Sequence, residues 1–267
     1  MITGSTRVFA ILGNPVAHSL SPVMQNAAFR ALGLHAAYVP LACTAEDVAP
    51  LIQALARCGG GGNVTVPHKE AAARAVDVCR ELAEVVGACN TFWAEKGSTV
   101  GDNTDVQGVL EALQQLDAPD APWLIAGTGG SARAAVVAAR ERGVGVAVTS
   151  RNDGRRREFE SWASSRGVAL APAAECRVLI NATPLGLKAE DPLPIPLDLA
   201  ARAEVALDMV YRVGETAWIR AVRPRVRRAA DGRGMLVAQG AAAFERWFPA
   251  KRAPVEVMRA AVNAELR

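Results

Sequence analysis

The stretch Trp123-Leu124-Ile125-Ala126-Gly127-Thr128-Gly129-Gly130-Ser131-Ala132 decides the fold. Four apolar residues of strand length run straight into G-x-G-x-x-A, and a helical pattern follows to Arg142, where Gly143 stops it. Glycines at the first two marked positions permit a tight turn and let the backbone approach a pyrophosphate, and a small residue at the third lets helix and strand pack closely. On its own such a fingerprint is weak evidence. Here the apolar run at residues 144–149 supplies a second strand, so the segment reads as a complete βαβ unit with Gly127, Thr128, Gly129, Gly130, Ser131 and Ala132 as the seat of a dinucleotide.

The end of that second strand separates the two nicotinamide cofactors, because an acid there bonds the ribose 2′-OH and repels a 2′-phosphate. The chain reads Ser150-Arg151-Asn152-Asp153-Gly154-Arg155-Arg156-Arg157. Planar guanidinium groups suit phosphate, and a cationic first turn opposes the helix dipole, so the cluster points to NADP. Asp153 is the one residue that pulls the other way. Further strands are expected near residues 177–180 and 205–207, and the loops after them, residues 181–186 with Thr183 and 208–211 with Met209, fall on the cofactor side. The two prolines and two acids of residues 117–122 mark a boundary before this unit.

Working back toward the N-terminus, strands at residues 8–12 and 36–42 alternate with helices, the pattern of a parallel sheet covered by helices. The stretch Asn63-Val64-Thr65-Val66-Pro67-His68-Lys69 reads as a third strand that Pro67 closes, handing Lys69 to a new helix at a strand's carboxyl end. Gly59-Gly60-Gly61-Gly62 leads into it as an unconstrained loop. In His18-Ser19-Leu20-Ser21-Pro22, Ser21 reads as an N-cap and Pro22 as the first helical residue, while Ser19 has no such structural duty. Two hydroxyls at a helix start suit a carboxylate or phosphate. Asp102, Asn103 and Thr104 read as turn and cap residues. Asp105 differs, because it sits at the junction of what read as two domains, where substrate clefts tend to lie.

Composition bounds the rest. At 267 residues with 51% hydrophobic and 21% charged residues the chain reads as a soluble globular protein, long enough for two modest domains or one large one. No apolar run is long enough to span a bilayer, and residues 1–7 lack a secretion-type pattern. Five scattered cysteines without zinc or C-x-x-C spacing read as reduced thiols in a cytoplasmic chain with no metal site. A net charge of +3 does not suggest nucleic acid as a partner. Monomer and homodimer both stay open. The basic run at residues 220–228 reads as a solvated helix face.

Taken together, Ser19-Leu20-Ser21-Pro22 and residues 63–69, 87–91, 101–105, 127–134, 181–186, 208–211 and 234–240 resemble the shikimate dehydrogenase family. The likeness runs in order along nearly the whole chain. It implies an α/β fold of two domains: an N-terminal substrate domain with a mostly parallel sheet at residues 1–106, completed by C-terminal helices at 235–267, and a Rossmann domain at 107–234. It also implies reversible reduction of 3-dehydroshikimate to shikimate with NADPH, a step of aromatic amino acid biosynthesis. Under the resemblance Lys69 and Asp105 are the catalytic pair and Ser19 and Ser21 hold the substrate carboxylate. Thr65, Asn90 and Gln239 hold ring hydroxyls, Tyr211 lies near the substrate, Gly127, Gly129 and Gly130 cradle the pyrophosphate, and Arg151 and Arg155 stand where the family binds the 2′-phosphate.

Two places depart from the family's pattern, at three residues. Its usual Asn-Arg-Thr reads Ser150-Arg151-Asn152 here, which puts one adenosine contact in question, and Val106 follows Asp105 where glycine is common. The alternatives are a sister enzyme acting on quinate, aminoshikimate or another cyclitol, a folate-type dehydrogenase, and a non-catalytic NADP-binding protein.

Overall fold

The computed structural model describes residues 2–266. In chain order the elements are β1 (Arg7–Gly13), α1 (Ser21–Ala31), β2 (Ala36–Ala42), α2 (Val48–Arg57), β3 (Gly61–Val64), α3 (Lys69–Ala75), β4 (Val78–Cys79), α4 (Glu81–Val86), β5 (Thr91–Glu95) and β6 (Ser98–Asp102). There follow α5 (Asp105–Gln115), β7 (Trp123–Ala126), α6 (Gly130–Glu141), β8 (Val146–Thr149), α7 (Asp153–Ser165), β9 (Val178–Asn181), β10 (Val205–Asp208), α8 (Ala217–Val222), β11 (Arg228–Ala230), α9 (Arg233–Trp247) and α10 (Val255–Glu265). They form two compact units. The first runs to Thr104 and resumes over Leu236–Glu265, and the second holds Asp105–Met235 with Leu266.

The sheet of the first unit has the order β2-β1-β3-β5-β6-β4 and is mostly parallel, as expected, with β5 as the one reversed strand among the described residues. β1 pairs in parallel with β2 and β3, and β4 with β6, but β5 runs antiparallel to both β3 and β6. The reason is local. Lys96 and Gly97 both have positive φ (51° and 85°), the two-residue turn that matches the twist of an antiparallel hairpin, so β5 folds back as β6. Pro40 is tolerated in β2 because that strand lies at the sheet edge.

Of the glycine run, Gly59 and Gly60 form the expected loop, but Gly61 and Gly62 already belong to β3. β3 lies between β1 and β5, and a Cβ at Gly61 or Gly62 would run into the carbonyl oxygens of Phe92 and Ala10, so the glycines serve close backbone approach. Alternation along β1 then fills both faces of the sheet. Ala10 and Leu12 join Val48, Ile52, Val64 and Phe92 on one side, while Phe9 stacks with Phe29, Trp247 and Phe248 on the other.

The sheet of the second unit is wholly parallel, in the order β11-β10-β9-β7-β8. All four residues of β7, β9 and β10 are buried, as befits strands covered on both faces. Leu124, Leu179, Ala206, Trp218, Ile219 and Val222 pack on one of those faces. The strand order reverses between β7 and β9, and that switch point is where open α/β sheets open a crevice beyond their carboxyl ends.

Candidate active site

In the first unit the candidate residues converge through backbone bonds on the carboxyl end of β3. Thr65 N–H donates to Leu12 O at 2.8 Å, and His68 N–H donates to Thr65 O at 2.9 Å. The His68 ring lies 2.9 Å from Cys43 O through Nε2, which ties the start of α3 to the end of β2. Lys69 is the first residue of α3 and is half-buried. Its carbonyl accepts Cys89 N–H at 2.9 Å, and Val64 N–H donates to Asn90 O at 2.9 Å. The strand-to-helix segment bearing Thr65 and Lys69 therefore lies alongside Asn90.

Asn90 is the centre of a buried polar cluster. Its Oδ1 accepts Thr104 N–H at 2.8 Å, and its Nδ2 donates to Thr104 Oγ1 at 3.0 Å and reaches Gln239 Oε1 at 3.4 Å. Exposure is 2% for Asn90, 1% for Thr104 and 9% for Gln239, so their polar atoms have been taken out of water and must meet partners within the protein or a ligand. Behind them, Asn63 Nδ2 donates to Asn90 O at 3.0 Å and Tyr38 Oη donates to Asn63 Oδ1 at 2.7 Å. The relay fixes the peptide on which the Asn90 side chain stands.

Ser21 does not cap its helix. Leu20 precedes α1 with near-helical torsions (φ −90°, ψ 0°) and no side chain caps it, so Ser21 is inside the first turn with Pro22 after it. Ser19 Oγ accepts Ser21 N–H at 3.3 Å just before the helix. Gln25, one turn along the Ser21 face, donates through Nε2 to Gly240 O at 2.9 Å, joining the helices that bear Ser21 and Gln239. Asp105 follows Thr104 directly, is buried, and opens α5 in the second unit. Tyr211 is half-buried and belongs to the second unit as well.

In the second unit the glycine turn fits a dinucleotide. Gly127 has φ +112°, outside the range of ordinary side chains, and a Cβ there would meet Ala182 O at 3.0 Å across the switch point. Gly129 precedes α6 in extended conformation with open space around it and no side-chain cap, which leaves the first helical N–H groups directed at the crevice. Thr128, Gly130 and Ser131 are half-buried and Ala132 is buried. Ser150 is half-buried and its Oγ accepts Asn152 N–H at 3.3 Å; Asn152 caps α7 through Arg155 N–H at 2.9 Å. Arg151 and Arg155 are exposed, while Asp153 pairs with Arg156 at 3.4 Å on its own helix.

A second buried network supports the loops after β9 and β10. Asn181 Nδ2 donates to Asp208 Oδ1 at 2.8 Å, and Asn181 Oδ1 accepts Thr183 Oγ1–H at 2.6 Å. Asp208 also accepts Val210 N–H at 3.0 Å and Thr216 Oγ1–H at 2.7 Å. Burial pushes its carboxyl up to about 6, with the Asp231 charge adding to the rise against the opposing hydrogen bonds from Thr216, Val210 and Asn181. Thr183 and Met209, the half-buried cofactor candidates of these loops, are thus held by Asn181 and Asp208. Sequence reading assigned neither of these two a role, nor Thr104 more than a turn; an Asn or Asp closing an otherwise apolar strand was the available signal. Among the described residues no three His, Cys, Asp or Glu side chains gather to hold a metal ion, and no helix is long and apolar enough to cross a membrane.

A glycine turn at the switch point of a parallel sheet, joined to a second α/β unit with a buried polar cluster, defines a two-unit protein of the Rossmann dinucleotide-binding class. Comparison with known proteins narrows it. A family profile described as the shikimate dehydrogenase substrate binding domain matches residues 11–92, and one described as the shikimate 5′-dehydrogenase C-terminal domain matches residues 232–262. A shikimate dehydrogenase (NADP(+)) from Microcystis aeruginosa is 37% identical, covering 98% of both chains. One from Methylocella silvestris is 38% identical, covering 100% of this chain and 99% of its own. The crystal structure of a Thermus thermophilus shikimate 5-dehydrogenase in complex with NADP(H) and shikimate superposes with TM-score 0.88 at 34% identity, covering 99% of each chain. The chain belongs to the shikimate dehydrogenase family.

Proposed function

We propose that the protein catalyses the reversible NADP-dependent interconversion of 3-dehydroshikimate and shikimate, a step of aromatic amino acid biosynthesis. The observation that carries this reading is the buried Asn90–Thr104–Gln239 cluster beside the segment bearing Thr65 and Lys69. A polyhydroxylated ring supplies donors and acceptors that can exchange bonds with such a cluster, and an apolar substrate would offer it none. The relatives' names and the bound ligands of the Thermus structure support the same assignment.

The first unit takes the substrate. Ser19 and Ser21 at the start of α1 bind its carboxylate, and Thr65, Asn90 and Gln239 orient its hydroxyls, with Tyr211 near the ring. The second unit takes NADP through residues 127–132, Ser150, Arg151, Arg155, Thr183 and Met209. Bound NADPH supplies the hydride. As the ketone carbon is reduced, negative charge develops on its oxygen, and the Lys69 ammonium stabilises that charge and delivers the proton, with Asp105 as its carboxylate partner. Domain boundaries near Asp105 and Met235 divide these tasks. The five free cysteines suit a reducing cytoplasm, and the modest net charge of +3 suits small-molecule substrates rather than nucleic acid. The acting species is a monomer or a homodimer.

Steady-state rates with shikimate and quinate, each with NADP and NAD, test the assignment. Shikimate with NADP is expected to give the highest kcat/KM of the four pairs. Turnover of quinate, or use of NAD, at an equal or higher kcat/KM contradicts it.

A further inference from the structure

A groove of about 710 Å³ opens on the first unit between α4, β5, the end of β6 and the end of α9, lined in part by Arg80, Trp93, Glu95, Asp102, Arg246 and Trp247. Within it, Arg246 Nε donates to Asp102 Oδ2 at 2.9 Å, and the Asp102 side chain is 5% exposed against 39% for Arg246. The other oxygen of that carboxylate accepts Asn103 N–H at 2.8 Å, and the Asp102 carbonyl accepts Asn90 N–H at 3.1 Å. Asn103 in turn donates through Nδ2 to Ala88 O at 2.8 Å. One residue further on, Thr104 bonds Asn90.

Arg246 lies seven residues after Gln239 on α9, two helical turns along the same face. That face therefore grips the loop at two points: Gln239 reaches Asn90, and Arg246 holds the carboxylate that braces the peptide leading to Thr104. We propose that Asp102 and Arg246 are positioning residues for the substrate ring, setting the spacing between Gln239 on α9 and the Asn90–Thr104 pair. This rests on the proposed function, in which those side chains hold ring hydroxyls. A carboxylate that bridges a helix and a loop in this way transmits a fraction of an ångström at α9 to the side chains that must match a rigid ring.

The test compares shikimate and NADP kinetics in Asp102→Asn, Arg246→Met and the double variant, with Arg246→Lys as rescue and Arg80→Met as control, since Arg80 pairs with Glu95 at 2.5 Å in the same groove. Each single variant is expected to raise KM for shikimate about tenfold, a loss of one decade in apparent affinity, with KM for NADP within about twofold. The double variant should match the singles, because the two groups act as one unit. Arg246→Lys should recover part of the loss, and Arg80→Met should leave both KM values unchanged. Arg246→Lys also keeps the test alive should Asp102→Asn fold poorly. Unchanged KM for shikimate, or equal changes in both KM values, overturns the proposal. Asn90→Ala run alongside separates the two readings: if it raises KM for shikimate and the pair variants do not, only the positioning role falls, and if it has no effect both fall.

Discussion

The two halves of the candidate site are built by opposite means. In the first unit the groups proposed to face the substrate are buried side chains already bonded to one another, Asn90 to Thr104 and Gln239, with Asn63 and Tyr38 behind. In the second unit the dinucleotide seat is mostly backbone, a glycine turn with an uncapped helix start, and its two cationic candidates Arg151 and Arg155 are exposed. The difference teaches that recognition and folding are entangled on one side and separable on the other. Removing a buried, bonded amide strands its partners, whereas removing an exposed guanidinium leaves the fold as it was.

Substitution is the way to break that contrast. The largest effect should come from Lys69→Ala, which is expected to lower kcat by about 10²–10⁴-fold with little change in KM; single-turnover rates check it, and a change confined to KM would demote Lys69 to a binder. Asn90→Ala should raise KM for shikimate and also cost about 1–3 kcal/mol of stability, read by urea unfolding, because Thr104 and Gln239 lose their partner. Arg151→Ala combined with Arg155→Ala should raise KM for NADP by about 10–100-fold while moving stability by no more than about 0.5 kcal/mol. An equal loss with NAD would remove the 2′-phosphate from the account.

A separate effect concerns Asp208 and pH. Because burial pushes its carboxyl up to about 6, the native state keeps a proton that the unfolded chain has already lost above about 4. Stability should therefore fall as pH rises from about 4 to about 6, by on the order of 3 kcal/mol, and this component should level off at higher pH. Asp208→Asn should flatten that slope in chemical unfolding across the same window, and a slope unchanged by the substitution would locate the titration elsewhere.

Legibility in the sequence followed the same division. The βαβ unit of β7, α6 and β8 could be read because glycine turns and short apolar strands are local signals, and β2 and β7 fall on the expected residues. What escaped was non-local. β6 lay hidden in Ser98-Thr99-Val100-Gly101-Asp102, where glycine and acid suggest a turn, although Lys96-Gly97 just before it was a usable hairpin signal. β11 lay among arginines, which blunt an exposed sheet edge as well as solvate a helix. Gly61 and Gly62 looked like slack and are packing, since the neighbours that demand them come from β1 and β5. Ser21 followed the N-cap rule on paper, but helical torsions at Leu20 carried the helix start one residue back. The partnership of Asn90 with Thr104 spans 14 residues and that with Gln239 spans 149, distances at which sequence spacing carries no information and only family resemblance named the residues.

Crossed equilibrium titrations test the division of labour most directly. Shikimate and NADP would each be titrated, by calorimetry, into the wild type, Asn90→Ala and the Arg151→Ala, Arg155→Ala double variant. The account predicts that Asn90→Ala weakens shikimate and spares NADP, while the arginine variant does the reverse. Loss of both ligands in either variant, or loss of NADP alone in Asn90→Ala, would contradict it.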